Sequence, residues 1–383
     1  LAPANQHEPC SLVLAYDQRK RPIVLPHELA RRHTLLLGTS GSGKTRTSYM
    51  RMVSEAGHSL VATDPKGELW RYTSGYQREA WRLAPMRPDS THGLNWIPLC
   101  RDERMSQLLT AAVMQSEEEK EELPFWKLND KQLCSALFTH VAHMAEPTPA
   151  TLHSLLEMGT RQLIEHLSAS PVARARTCAQ NLAELRPESR AGIFLSMTNK
   201  LAFLQEPAVR RFTSQSLTPP DFRMLVADPD RPIAVYWQVH EQDAELLKPL
   251  SSLFFTLLLD QLTRGEEDEE LPAPVALFLD GFAQIGRIPH FSSTIVVARG
   301  RGLALVIGIQ SLAQLDEIYG TPARKIIIDN CTTKMVLPGL GYDTAEQISL
   351  ALGETTVRQE YQSRKPEGLM VTSYSYGEHH TQR

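Results

Sequence analysis

The chain has 383 residues, and its 40 Lys and Arg against 44 Asp and Glu give a formal net charge of −4. This length allows two or three domains, or one large α/β domain that carries an insertion. The near-neutral balance gives no indication of nucleic-acid binding, so any basic surface must be local. No uninterrupted apolar run reaches about 18 residues, which excludes a membrane-spanning helix within the sequence.

Cysteine usage and the chain ends indicate a cytosolic fragment. The five cysteines are scattered without a C-x-x-C pair, which predicts reduced thiols and neither a disulfide framework nor a zinc site. The opening "LAPANQHEP" has no initiator Met and no signal-peptide architecture, and the chain stops abruptly after "SYGEHHTQR". We therefore expect an excised part of a longer protein.

The first hundred residues alternate between strands and helices. "SLVLAY" and "PIVL" predict strands around the basic turn "DQRKRP", which is either a solvated turn or a loop facing DNA or a membrane surface. Apolar strands follow at 33–38, 58–64 and in "AWRLAP", and a helix is predicted from the end of the first of these to about Glu55. Such alternation predicts βαβ units and a largely parallel sheet.

From residue 102 to 216 the pattern is helical throughout. Apolar residues recur at three-and-four spacing, no β-like alternation is visible, and Pro or Ser/Thr separates the segments. Strands return at 231–239, in "VALFLD", at 303–310 and at 334–339, with a buried helix to about Leu262. We therefore predict an α/β nucleotide-binding domain formed by 1–101 and 217–383, with an all-α domain inserted at 102–216.

The segment "GTSGSGKT" matches the phosphate-loop pattern G-x-x-x-x-G-K-[ST] between an apolar strand and a helix. Its glycines let the backbone wrap a phosphate, and the following helix N-terminus adds partial positive charge. Lys44 is predicted to reach the β- and γ-phosphates and the Thr45 hydroxyl to ligate Mg²⁺. The predicted nucleotide-binding residues are Gly38, Thr39, Ser40, Gly41, Ser42, Gly43, Lys44 and Thr45.

Asp280 closes the strand "VALFLD", the place expected for a second Mg²⁺ ligand, although an Asp here can also cap the next helix. Hydrolysis also needs a group that orients the attacking water, and Gly281 has no side chain to do so. Asp64 and Glu68 follow another strand and are expected to lie too far away, while Glu317 is expected to face solvent. Gln310, at the end of the strand 303–310, is better placed to hold water or sense the γ-phosphate.

Taken together, the motifs resemble the coupling proteins of type IV secretion and bacterial conjugation, the TraG/TraD-type ATPases of the FtsK/HerA-like motors. The resemblance rests on the phosphate loop, "TDPKGEL", "FLDGFAQIGRIP", "RGRGLALVIGIQSLAQLDEIYG" and the helical block that opens near "PFW". It implies a RecA-like P-loop NTPase fold with an inserted all-α domain, using ATP and Mg²⁺. Members usually have an acid at the position of Gly281, so this departure puts robust hydrolysis in question.

The resemblance also implies partners and a location. It implies a hexameric ATPase at the cytoplasmic face of the bacterial inner membrane, held there by an N-terminal anchor outside this sequence. Its partners would be a relaxase–DNA complex or effector proteins, DNA itself and components of the secretion channel. In ring ATPases a neighbouring subunit supplies an arginine to the γ-phosphate, and "ARGRG" offers Arg301 first and Arg299 second.

Two alternatives stay open at this point. In the first, the chain is a recruitment platform that binds nucleotide without hydrolysing it, which Gly281 favours. In the second, less favoured because of the helical insertion, it is a DNA translocase of the FtsK/HerA type. Lys66 in "DPKG" is interpreted equally well as a contact to phosphate or DNA and as part of a strand-to-helix turn.

Overall fold

A computed structural model describes residues 11–115, 125–265 and 270–353, together with the backbone of residues 356–367 and 371–382. The chain divides into two compact units, Leu1–Pro338 and Gly339–Arg383. The first unit contains a seven-stranded sheet, a small hairpin and most of the helices. It is the unit that carries every predicted site residue.

The seven-stranded sheet is parallel at every pairing, with strand order β5-β6-β4-β7-β8-β3-β9. Its strands are short apolar runs, and the central ones are buried on both faces, as parallel sheets require. The sequence predicted all seven of them. They are β3 Thr34–Leu37, β4 Ser59–Thr63, β5 Glu79–Leu83, β6 Ile233–Trp237, β7 Val275–Leu279, β8 Leu303–Ile309 and β9 Thr333–Val336.

Strand order places the predicted site on one edge. β8 lies between β3 and β7, with Leu36 opposite Gly308 in the first pair and Phe278 opposite Val306 in the second. β4 pairs with the other side of β7. Because all these strands run the same way, the segments that follow β3, β8, β7 and β4 leave the sheet along the same edge.

Two further strands, β1 Leu12–Tyr16 and β2 Pro22–Leu25, form an antiparallel hairpin outside the main sheet, as the sequence predicted. The basic run 17–22 is the turn of this hairpin. Asp17 accepts hydrogen bonds from the backbone N–H of Arg19 and Arg21 and from the Arg21 guanidinium, at 2.8, 2.9 and 2.7 Å. The acid therefore organises the turn and neutralises part of its charge.

Helices cover the sheet and fill the segment between β5 and β6. α11 is apolar almost all round and is buried along most of its length despite Pro249. No helix that the structure describes is both long and apolar enough to cross a membrane. The helices of the first unit are α1 His27–Ala30, α2 Met50–Ser54, α3 Glu68–Thr73, α4 Glu103–Met114, α5 Phe125–Ala142, α6 Pro149–Glu157, α7 Thr160–Ser168, α8 Ala173–Glu184, α9 Pro187–Lys200, α10 Pro207–Thr213, α11 Ala244–Thr263, α12 Phe291–Gly300 and α13 Ala313–Asn330.

In its described part, the segment from 102 to 216 contains helices α4 to α10, one short 3₁₀ helix and the turns between them, and it has no strand. Polar caps start two of these helices. The Asp102 carboxylate accepts the Met105 N–H at 2.8 Å, and the Thr148 hydroxyl accepts the Thr151 N–H at 3.2 Å. The helical content agrees with the sequence pattern, and the assignment of 102–216 to a separate domain stays a prediction.

The second unit contains α14 Tyr342–Leu352 and an antiparallel hairpin of β10 Thr356–Glu367 and β11 Val371–Gln382. Residue Thr356 pairs with Gln382 and Glu367 pairs with Val371, so the register is continuous. The sequence predicts no element here, because the residues of these strands are mostly polar and show no apolar face.

Candidate functional site: a phosphate loop facing an acid strand

The phosphate loop joins β3 to a helix that begins with a π-helical turn, Lys44–Tyr49, and continues as α2. Gly41 and Gly43 adopt φ values of +80° and +93°, a region that favours glycine. A Cβ on Gly38 would lie 2.5 Å from Ser42 Oγ. Gly41 and Gly43 are thus favoured by their backbone conformation and Gly38 by the close approach of Ser42, which agrees with the glycine pattern of the motif.

Lys44 is buried inside this loop, with only 9% of its surface exposed. Its ammonium group donates to the backbone carbonyl oxygens of Gly38 and, at 3.1 Å, Thr39. Burial lowers the pKa of Lys44, while the nearby Asp280 carboxylate opposes that shift. A positive charge is thus held at the centre of the loop, where the phosphates of a nucleotide would lie.

Thr45 and Asp280 meet across the edge of the sheet. The Thr45 hydroxyl donates to Asp280 Oδ2 at 2.5 Å, and the Thr63 hydroxyl donates to the backbone carbonyl of Asp280 at 2.7 Å. Burial raises the pKa of the Asp280 carboxyl, with the Thr45 hydrogen bond and Lys44 acting in the opposite direction. One hydroxyl and one carboxylate next to a phosphate site are a donor set that suits Mg²⁺.

The alternative role for Asp280, as a helix cap, does not match this geometry. The short 3₁₀ helix after β7, Phe282–Ile285, begins at Gly281 and has no side-chain cap. Asp280 instead points at the phosphate-loop helix through Thr45. The carboxylate therefore belongs to the predicted nucleotide site.

A cavity of about 390 Å³ opens over the loop and the carboxyl ends of β4, β7 and β8. Gln310, which follows β8, lines it and is exposed, as expected for a group that would contact water or the γ-phosphate. The Gln310 backbone N–H donates to the Gln314 side chain at 2.9 Å, which fixes the start of α13 next to the cavity. Gln314 was not anticipated from the sequence.

Gly281 also lines the cavity and adopts φ +67°. A Cβ at this position would lie 3.2 Å from Gln284 Oε1. Any residue other than glycine would therefore strain the backbone at this position. The position directly after Asp280 therefore supplies no side-chain group that could activate water.

Four carboxylates line the cavity: Asp64, Glu68, Glu241 and Asp280. The expectation that Asp64 and Glu68 lie too far away was wrong, because β4 is the immediate neighbour of β7. Glu317 is exposed on α13 and is not among the residues described as lining the cavity. Glu241 was missed, although its position just after β6 is the carboxyl end of a parallel strand and could have indicated it.

The two arginines expected to act on a neighbouring subunit lie at the opposite edge of the sheet, just before β8. Arg301 is buried, and its Nη2 donates to the carbonyl oxygen of Arg264 at 3.3 Å. A Cβ on Gly265 would lie 2.3 Å from the same nitrogen, so the guanidinium is packed within its own chain. Arg299 is exposed. Arg299 is thus the more accessible of the two side chains, which argues against the preference for Arg301, and an action of either arginine on another subunit stays a prediction.

The sequence also did not predict a contact between the helical segment 102–216 and the segment that follows β7. Gln115, at the end of α4, accepts the backbone N–H of Arg287 at 2.7 Å. The Arg287 guanidinium donates to the Ile318 carbonyl at 2.6 Å and lies 5.5 Å from the centre of the Tyr319 ring. Tyr319 stacks on Phe282, two residues after Asp280, at 5.9 Å. Packing therefore connects α4, α13 and the segment that follows the Mg²⁺-ligand candidate.

The sequence profile of the family described as "Type IV secretory system Conjugative DNA transfer" matches residues 15–383, almost the whole chain. The chain belongs to this family. The family resemblance indicated by the sequence motifs is therefore confirmed.

Curated relatives agree with the family assignment. The chain is 26% identical over 364 residues to a conjugal transfer protein TraG of Escherichia coli, covering 86% of this chain and 56% of that protein. It is 23% identical over 357 residues to protein VirD4 of Rhizobium radiobacter, covering 85% of this chain and 48% of that protein. The chain thus spans about half the length of the curated relatives it matches.

Solved structures show the same fold. The plasmid coupling protein TrwB in complex with the GTP analogue GDPNP superposes with a TM-score of 0.72 at 20% identity, over 92% of this chain and 81% of that one. TrwB with ADP and Mg²⁺ gives a TM-score of 0.68 at 20% identity, over 90% and 78% of the two chains. The predicted RecA-like P-loop fold with helices added to a parallel sheet is confirmed by these likenesses.

Proposed function

We propose that this conjugative coupling protein binds ATP with Mg²⁺ at the phosphate loop and uses the nucleotide to power or gate substrate transfer into a type IV secretion channel. The observation that carries the proposal is the 2.5 Å contact between Thr45 and Asp280 beside the buried Lys44. Lys44 supplies a cation for the phosphates, and Thr45 and Asp280 supply two oxygen ligands for Mg²⁺. The first two residues lie at the start of the phosphate-loop helix, and Asp280 follows β7.

Each residue then has a defined task. The backbone of residues 38–43 surrounds the β-phosphate, and Lys44 exchanges its contacts with the Gly38 and Thr39 carbonyls for phosphate oxygens. Thr45 and Asp280 would hold Mg²⁺, which would supply positive charge next to the phosphates. Gln310 holds water or the γ-phosphate from the end of β8.

Assembly completes the proposal. A homohexamer at the cytoplasmic face of the inner membrane would place the exposed Arg299 of one subunit at the nucleotide of the next, whereas Arg301 is packed within its own chain. The cargo would be a relaxase–DNA complex, effector proteins or both, docked on the helical segment 102–216. Contact with DNA would come from Lys and Arg on loops that face the channel.

A nucleotide titration tests the binding step. Fluorescent mant-ATP is titrated into the wild type, Lys44→Ala and the control Lys325→Ala, which removes an exposed lysine of α13. The proposal predicts Mg²⁺-dependent binding to the wild type and the control, with affinity lost in Lys44→Ala. Equal affinity in all three proteins would overturn it.

The second candidate function is a recruitment platform that binds nucleotide without hydrolysing it. The observation that favours it is Gly281, which offers no acid after Asp280. A relaxase pull-down with folded Lys44→Ala separates the two functions. Undiminished capture, together with nucleotide binding but no turnover in the wild type, supports the platform, whereas capture that depends on ATP supports the coupling ATPase.

A further inference from the structure

Lys66 and Glu241 form an ion pair at the nucleotide cavity. Lys66 Nζ and a Glu241 carboxylate oxygen are 3.6 Å apart, with 54% and 50% of the two side chains exposed. Both line the cavity together with the phosphate loop and Asp280. Lys66 belongs to the D-P-K-G turn after β4, and Glu241 follows β6, so neighbouring strands present the two side chains.

The backbone that carries this pair is firmly held. Asp64 accepts the N–H groups of Leu69 and Trp70 at 3.1 and 2.8 Å, which locks the turn to the start of α3. Gly67 has φ +72°, and a Cβ there would lie 2.3 Å from Gln238 Nε2. Backbone and side-chain packing thus fix the turn against the segment after β6. The half-exposed ends of Lys66 and Glu241 are what remains free to reorient.

Lys66 also lies close enough to act on the central groups of the site. Burial has the largest effect on both groups, since it lowers the pKa of Lys44 and raises the pKa of Asp280, and the charge of Lys66 acts on both as a smaller downward influence. A cation near these two groups would lie beside the γ-phosphate of a bound nucleotide. The triphosphate would then compete with Glu241 for Lys66.

The other carboxylates of the cavity are already engaged. Both oxygens of Asp64 accept backbone N–H groups, and Asp280 accepts the Thr45 hydroxyl. Glu68 is paired with Arg46 at 3.2 Å, on the helical turn just after the Mg²⁺-ligand candidate Thr45. Glu241 differs from these carboxylates because its partner, Lys66, would bind the more highly charged triphosphate in its place when ATP enters the cavity.

We propose that Lys66 is a γ-phosphate ligand and that Glu241 is the carboxylate that activates the attacking water, the role for which Gly281 has no side chain. The inference rests on the proposed ATPase function. ATP binding draws Lys66 to the γ-phosphate and frees Glu241. Glu241 then takes a proton from water as the water oxygen bonds to the γ-phosphorus. The bond from phosphorus to the β–γ bridging oxygen breaks, giving ADP and phosphate.

Two variants test the two roles separately. Lys66→Met is expected to weaken mant-ATP binding about tenfold while leaving mant-ADP affinity unchanged, because only ATP has the γ-phosphate that the ammonium group would contact. Glu241→Gln is expected to bind ATP at least as tightly as the wild type, because the competing carboxylate charge is gone, and to lower kcat for phosphate release by about 100-fold or more, the range of a lost general base. The matched controls are Lys248→Met and Glu245→Gln, which break a 2.5 Å pair on α11.

The outcomes separate this inference from the proposed function. If the wild type binds no nucleotide, the proposed function itself fails. If it binds ATP in a Lys44-dependent way, an unchanged ATP-to-ADP affinity ratio in Lys66→Met overturns the phosphate contact. Wild-type turnover in Glu241→Gln, or absence of turnover in the wild type with DNA present, overturns the role of Glu241.

Discussion

Substituting Gly308 by Ala perturbs the contact that seats the phosphate-loop helix on the sheet. Gly308 lies in β8 beneath Tyr49, and a Cβ there would lie 2.3 Å from Tyr49 Oη and 3.2 Å from two ring carbons. Tyr49 is fully buried, with its hydroxyl 3.4 Å from the Leu279 carbonyl oxygen and 3.3 Å from that of Val306. Either the ring or the helix that carries it must therefore move.

The size of the effect follows from the contacts. Overpacking in a closed core costs about 1–3 kcal/mol, and Ala recovers about 0.5–1 kcal/mol over Gly in a strand. Gly308→Ala should therefore lower the free energy of unfolding by about 1–2 kcal/mol. Tyr49→Phe should cost about 1 kcal/mol, since it removes a buried hydroxyl with long hydrogen bonds. The double variant should cost less than the sum, because the atom that meets the new Cβ is gone.

Urea denaturation of the wild type, the two single variants and the double variant measures this coupling. We expect a coupling free energy of about 1 kcal/mol, in the direction of mutual relief. mant-ATP affinity should fall in Gly308→Ala and recover in part in the double variant, because the same helix carries Lys44 and Thr45. Additive effects within about 0.5 kcal/mol would refute the proposed contact.

Three further predictions concern groups around the site. Burial raises the pKa of Asp280 above its ordinary 3.8, so the folded state binds the proton more tightly and loses stability as pH rises from 3.8 through the folded pKa. Asp280→Asn should therefore unfold at a higher urea concentration than the wild type at pH 7, and the difference should vanish in acid. Its Mg²⁺-dependent nucleotide affinity should fall. Lower stability of the variant than of the wild type at pH 7 would contradict this prediction. At φ +67°, Gly281→Ala should cost about 1 kcal/mol and Gly281→Asn less, as urea midpoints would reveal, and an Ala variant as stable as the wild type would count against the left-handed backbone. Gln115→Ala removes the acceptor of the Arg287 N–H, so hydrogen exchange of that amide should accelerate, and an unchanged rate would show that the contact does not hold the segment.

Local patterns predicted most of the fold. The strands of the sheet and the β1–β2 hairpin are short apolar runs bounded by turns, and their positions follow from that pattern alone. The phosphate loop could also be predicted, because its glycines and Lys44 act through local backbone geometry. Asp280 could be placed because the carboxyl ends of parallel strands share one edge.

Contacts between segments that are distant in the sequence could not be predicted. The burial of Arg301 depends on the connector at Arg264 and Gly265, and the position of Asp64 and Glu68 depends on which strand lies next to β7. The position of Glu241 after β6 indicates the carboxyl ends of the strands, but its place next to Lys66 and Asp280 depends on strand order. Each of these depends on tertiary packing, which neither periodicity nor a motif encodes.

Steady-state phosphate release tests the central claim most directly. The wild type is assayed with ATP and Mg²⁺, with and without DNA, beside Lys44→Ala and a sample in which EDTA removes Mg²⁺. We predict turnover that is stimulated by DNA and by assembly and that both the substitution and EDTA abolish. Turnover that persists in Lys44→Ala would contradict the assignment of the phosphate loop as the site of hydrolysis.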